Sequence, residues 1–229
     1  MDALYQSAWH HPGIAWTANA LLLVFGMRLV PGYLKRFVGL ALIAICLDAW
    51  LTGALAPPIA KEHGKAVGIV FVILGDLRYF YLLERFTRTS ASLPRVLGIA
   101  TAIAFIVPLW QTAIMQLWPA PFQTSRTIFL SYEALFVLVC VLLWQVLYAS
   151  RVVALTPAFA VFLQRLTAFE LVQYVAWATI DVLLLNGQEW ALALRVVPNI
   201  LYYGGFLWFV ALNAPPLEDT APVPAPQRS

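Results

Sequence analysis

The chain has 229 residues, 62% of them hydrophobic and 11% charged, with a net charge of +3 and a mean hydropathy of +0.81. A water-soluble domain of this size carries about 45–50% apolar and about 25% charged residues, so the surplus apolar surface calls for lipid. The apolar runs are continuous rather than alternating, which excludes a transmembrane barrel, and no Lys/Arg run interleaved with aromatics offers a nucleic-acid surface.

Met1 to Gly13 lack the basic stretch of a signal peptide, so the first apolar run is expected to be a retained span. Seven runs approach the roughly 20 residues that a helix needs to cross the hydrocarbon core. They cover 14–30, 37–56, 66–87, 94–117, 126–149, 158–185 and 190–212. Pro31-Gly32, Pro57-Pro58, Pro94, Pro119 with Pro121, Pro157 and Asn186-Gly187 punctuate the gaps. From Asn213 to Ser229 the sequence holds five prolines and cannot build a packed core. The expectation is an all-α membrane protein: a seven-helix transmembrane domain over 1–212 and a disordered cytoplasmic tail over 213–229.

Orientation follows from the asymmetry of Lys and Arg. Arg28, Lys35, Arg36, Arg85, Arg88, Arg95 and Arg151 fall on one side, and only Lys61, Lys65 and Arg126 on the other. The first set marks the cytoplasm, so the N-terminus is expected outside and the C-terminus inside. The expected setting is multi-pass, in the cytoplasmic membrane of a bacterium.

An internal repeat is visible at an offset of 123 residues, which sets LVFGMRLV (23–30) against VLYASRVV (146–153) and GDLRYF (75–80) against PNILYY (198–203). Arg28 then pairs with Arg151, Asp76 with Asn199 and Tyr79 with Tyr202, and a one-residue shift brings Asp48 to Glu170. Two parallel three-helix units, about 14–87 and 126–212, joined by the helix over 94–117, would explain the pattern.

Ionisable groups inside a bilayer cost at least about 2.5–3.5 kcal/mol each at a helix centre. Asp48, Asp76, Arg78, Glu133, Arg165, Glu170, Asp181 and Arg195 all fall within the spans. Helical phase gathers them into stripes. Glu170, Gln173, Tyr174, Trp177 and Asp181 share a face of the sixth span, and Arg195, Asn199, Tyr202 and Phe206 one of the seventh. Asp48 lies with Ala41, Ala44 and Thr52, Asp76 with Tyr79, Phe80 and Leu83, and Glu133 with Phe136, Cys140 and Trp144. Lipid cannot satisfy such stripes, so they should face inward, around a polar and aromatic pocket opening outward. The candidate ligand-binding residues are Asp48, Asp76, Tyr79, Glu133, Glu170, Gln173, Trp177, Asp181, Arg195, Asn199 and Tyr202. The competing explanation for Arg195 with Asp181 or Glu133 is a structural ion pair. Arg78, about 200° from Asp76, shares a separate face with Tyr81 and Arg85, where snorkelling toward headgroups explains Arg85.

No cofactor is expected. His10, His11 and His63 with Glu62 would be the source of any metal site, no helical His pair is present to hold haem, and no Ser–His nucleophile is discernible. Cys46 and Cys140 both lie in apolar runs and read as small hydrophobes rather than a disulfide. The expected partners are the bilayer, a small ligand or ion, and a second membrane protein or copy of the chain.

The three-plus-one-plus-three pattern with an external N-terminus resembles the SWEET and PQ-loop transporters, and the seven-helix course resembles the microbial rhodopsins. No Pro-Gln dipeptide occurs in any span, so the PQ-loop signature is missing. The last span has no lysine for a retinal Schiff base, which rules out a retinal photoreceptor. GIVFVILGD (68–76) resembles the Gly-x-x-Phe-x-x-x-Gly-Asp segment of the membrane lysoplasmalogenases, which would imply an active-site role for Asp76. Three functions therefore stay open: a binding protein acting as transporter or receptor, an accessory or sensor subunit, and an intramembrane lipid hydrolase.

Overall fold

A computed structural model describes residues 12–117 and 124–216. His10, His11, Pro119, Pro121 and the tail from 217 lie outside the described residues. Every regular element among the described residues is a helix. Helix α1 covers Gly13–Leu21 and continues as a π turn, Leu22–Gly26. Helix α2 is Lys35–Thr52, a one-turn helix spans Pro58–Glu62, and α3 is Gly64–Thr87. Helix α4 consists of Leu93–Ala104 and Ile106–Leu117. Helix α5 runs through Ser125–Leu143, a π turn at Trp144–Tyr148, and Ala149–Val153. Helix α6 is Pro157–Leu185. Helix α7 comprises Ala191–Leu194, Val196–Ile200, a π turn at Leu201–Gly205, and Phe206–Asn213.

Five of these, α3 to α7, are long and apolar enough to cross a membrane, whereas α1 is a shorter apolar helix. Helix α2 has 18 residues and includes Lys35, Arg36 and Asp48. Large apolar side chains cover the outside: Leu40, Val146 and Val153 are 69%, 80% and 82% exposed. So broad an apolar surface has no place in water, and the chain is an integral membrane protein.

Local sequence accounts for the ends and breaks. Proline opens α4 and α6, where a missing N–H costs nothing. The Thr124 hydroxyl caps α5 by accepting from the Thr127 N–H at 3.2 Å. Past α6 the chain turns through Gly187 at φ +78, a conformation that a side chain would strain. The interruptions at Phe105 and Arg195 lie three residues before Pro108 and Pro198, which cannot donate to the carbonyls of Ala104 and Leu194.

Each long helix packs against its neighbours in chain order, α7 returns to α1, and α3 also touches α6 across the interior. Helices α1 and α7 meet where Gly204 lies on Ala18, and the Trp208 indole donates to the Ala18 carbonyl at 3.2 Å. Trp16 donates to the Cys46 carbonyl at 3.2 Å across α1 and α2. At one end of the bundle Tyr33 packs against Phe86 and Phe159, and its hydroxyl donates to the Pro215 carbonyl at 2.7 Å. The arginines of α3, α4 and α5 termini, Arg85, Arg88, Arg95 and Arg151, lie toward this basic end. Toward the opposite end Trp16, Trp50, Trp110 and Trp190 are exposed.

Candidate functional site

Except for the half-buried Trp177, every candidate ligand-binding residue named above is buried, whereas Ala41, Ala44 and Trp144 of the same stripes are half-buried and Thr52 is exposed. They occupy different levels along the bundle, and three polar layers result.

The layer near the indole end is an ion-pair cluster. Arg195, at the break in α7, pairs closely with Asp181 of α6 and lies 3.9 Å from Glu133 of α5. Arg126, at the start of α5, reaches the same Asp181 oxygen at 3.5 Å. The Phe129 ring lies 5.7 Å from the Arg195 guanidinium.

The central layer surrounds α3. Asp76 accepts hydrogen bonds from Tyr132 of α5 and, at 2.5 Å, from Tyr174 of α6. The phenol of Tyr79 donates to Thr167 at 3.0 Å. Trp177 donates to Asn199 at 2.9 Å, and Tyr202 to the Phe71 carbonyl at 3.2 Å. Asp48 of α2 accepts from the Thr52 hydroxyl at 3.0 Å. Phe136 stacks on Tyr174 with ring centroids 3.7 Å apart. Arg78 is 5% exposed, and its guanidinium lies 4.4 Å from the centroids of both Tyr202 and Phe206. None of its nitrogens has a hydrogen-bond partner. Asp48, Asp76 and Glu170 all interact with it electrostatically. Glu170 Oε1 and both amide atoms of Gln173 also lack hydrogen-bond partners.

The third layer lies near the basic end. Glu84 is fully buried; it accepts from Tyr148 at 2.9 Å, faces Arg151 at 3.4 Å and pairs closely with Arg88.

No family model, curated protein or solved structure matches this chain. Its chemistry must be read from its own side chains.

Two surface clefts lie away from these stripes, one at Glu62, His63, Ala66 and Ile69, the other between the start of α6 and Asn213–Pro216. One expectation changes shape: Arg78 leaves the face assigned to it. Arg85 is exposed and Tyr81 half-buried against Phe37, but Arg78 turns into the bundle toward α7. Asp76 and Arg78 can point in different directions and both be buried because α2, α4 and α6 enclose α3. Glu84, Tyr132 and Tyr148 join the polar interior without having been singled out. Their sign in the sequence is that residues 76, 78 and 84 fall on three separate faces of one span, as only a helix enclosed by others tolerates.

Among the described residues, no group of three or more His, Cys, Asp or Glu is arranged to hold a metal ion. Cys46 and Cys140 are free thiols.

Proposed function

We propose that the chain is a seven-crossing membrane protein that binds a small polar molecule or ion in its central layer, acting as a transporter or receptor. The observation that carries this reading is Arg78, whose nitrogens lack hydrogen-bond partners, together with Glu170, which interacts with it electrostatically, and the unpartnered Gln173 one turn from Glu170. A buried polar group without a hydrogen bond costs about 1–3 kcal/mol, more when it is charged, and lipid supplies no donor or acceptor. A bound polar species would satisfy all three side chains at once.

Seven crossings follow if α1 and α2 join the five longer helices, as their places in the closed circuit of neighbours favour. The distribution of Lys and Arg favours an external N-terminus. The 3+1+3 duplication gains support from the π turns at Leu22–Gly26 and Trp144–Tyr148, each just ahead of a paired arginine, Arg28 or Arg151. A site between the two units, near mid-membrane, is where transporters built from repeats hold substrate.

The accessory-subunit reading is less favoured, since the buried charges of the two outer layers find counter-charges within this one chain. The hydrolase reading also fits less well. Both Asp76 oxygens are engaged by phenols, the residue is 2% exposed, and neither cleft reaches it. The test is a thermal-stability screen of the purified chain in detergent against amino acids, amines, carboxylates, sugars and salts. Stabilisation that disappears in Arg78→Leu or Gln173→Leu supports binding; no stabilisation by any compound counts against it.

A further inference from the structure

The three polar layers are unlike in charge. Near the indole end, two guanidinia, Arg126 and Arg195, face two carboxylates, Asp181 and Glu133. Near the basic end, Glu84 has two arginines. In the central layer three buried carboxylates, Asp48, Asp76 and Glu170, share one buried guanidinium, Arg78. Unbalanced charge in a low-dielectric interior is far more costly than paired charge.

Hydrogen bonding shows where the deficit lies. Asp76 has a phenol O–H on each oxygen. Asp48 has Thr52, and Arg78 as its counter-charge. Glu170 is 2% exposed, has no partner on Oε1, and shares Arg78 with the other two. Gln173, one turn along α6, is fully buried and unpartnered at both amide atoms. At 100° per residue it lies roughly 60° around the helix from Glu170. That is the side of Phe169, which packs on Phe206 and Phe209 of α7, and Phe206 is one of the two rings that flank Arg78.

We propose that Glu170 and Gln173 form a binding site for a monovalent cation, either an alkali-metal ion or a primary ammonium group, with their unpartnered oxygens as ligands. This rests on the reading of the central layer as a ligand site and names the class of ligand. A divalent ion does not fit, because it requires six or more oxygens or several carboxylates, and among the described residues no group of three or more His, Cys, Asp or Glu is arranged to hold a metal ion. An ammonium group would also gain from the aromatic faces of Tyr174 and Trp177, which pack against one another with centroids 5.5 Å apart.

The test uses the full chain in detergent, in sodium, potassium, ethylammonium or N-methylglucamine chloride at equal ionic strength. At about 100 times its Kd, a bound cation should raise the unfolding midpoint by about 5–10 °C over the bulky glucamine salt. A response to sodium or potassium identifies an alkali-ion site, and one to ethylammonium alone an ammonium site. Glu170→Gln should abolish the response, Gln173→Leu should weaken it, and Glu62→Gln, on the exposed surface, should keep it. The proposal is overturned if all four salts give one midpoint for the parent chain, whatever the variants do. It is also overturned if stability follows pH alone, because protons then balance the carboxylates. If a neutral or anionic compound stabilises the chain while no cation does, the cation site falls but the broader binding reading stands.

Discussion

Arg195 shows how one buried side chain organises its surroundings. It pairs with Asp181, lies 3.9 Å from Glu133, and sits where Pro198 interrupts α7. Removing one partner of a buried ion pair costs about 3–5 kcal/mol, because the remaining charge stays buried. Arg195→Leu should therefore lower the unfolding midpoint in detergent well beyond any surface substitution. If the pair is structural, ligand stabilisation will survive in folded variant; if it belongs to the site, that response will go too. Tyr33, outside the spans, gives a prediction in pH. Its hydroxyl is held by the Pro215 carbonyl, and burial pushes the phenol up to about 12. The folded chain thus keeps this proton more tightly than the unfolded chain, whose phenol ionises near ~10. Its contribution to stability is complete below about pH 10 and is lost as pH rises toward 12. Tyr33→Phe should flatten that part of the stability profile, as read from unfolding midpoints between pH 9 and 12. The inward direction of Asp76, Asp181 and Arg195 was legible from helical phase. The direction of Arg78 was not, because phase relates residues on one helix but does not reveal how many helices surround it.

At the scale of the helix, two glycines set the approach of α7, Gly204 against α1 and Gly75 against Tyr202. A methyl group on Gly75 would run into the Tyr202 ring, with Cε2 and Cζ at 2.8 Å. The same ring flanks Arg78 and donates to the Phe71 carbonyl. Gly75→Ala should push Tyr202 aside and destabilise the chain by about 1–3 kcal/mol, the usual cost of overpacking. Pairing it with Tyr202→Phe should recover little, because the ring atoms as well as the hydroxyl are in the way; pairing it with Tyr202→Ala should recover more. Full recovery by the phenylalanine would show that the ring is not the obstacle. Gly75 lies in the segment that resembles lysoplasmalogenases, and its contact with Tyr202 gives it a packing reason to be glycine. The helix positions themselves were largely legible, since long apolar runs and prolines dictate them. The π turns and the break at Arg195 were less so. Pro198 does predict a disturbance in α7, but its exact form depends on neighbours that periodicity does not register.

For the whole molecule, the expected course puts the N-terminus outside and the tail in the cytoplasm. Reporter fusions after Ser229 should give a cytoplasmic signal and fusions near Lys61 an external one; a cytoplasmic signal at Lys61 would reverse the assignment. The all-helical, membrane-embedded character was legible from composition alone, because 62% hydrophobic residues leave no other solvent for the surface. The number of crossings was less legible. Helix α1 is short, and α2 carries three charges in 18 residues, so both depend on the company of the other five.

The two ends of the bundle are also chemically unequal, and this has an optical consequence. Trp16, Trp50, Trp110 and Trp190 are exposed toward one end, whereas arginines gather at the other. Indoles settle at the boundary between headgroups and acyl chains. In vesicles whose lipids carry bromine at a chosen depth, those four indoles should therefore be quenched most by bromine high in one leaflet. Half-buried Trp177, hydrogen-bonded to Asn199 inside the bundle, should keep its emission. Lipids brominated only in the leaflet at the arginine-rich end should quench less, since the indoles toward it among the described residues, Trp144 and Trp208, are half-buried, so that light alone would report which way the protein faces.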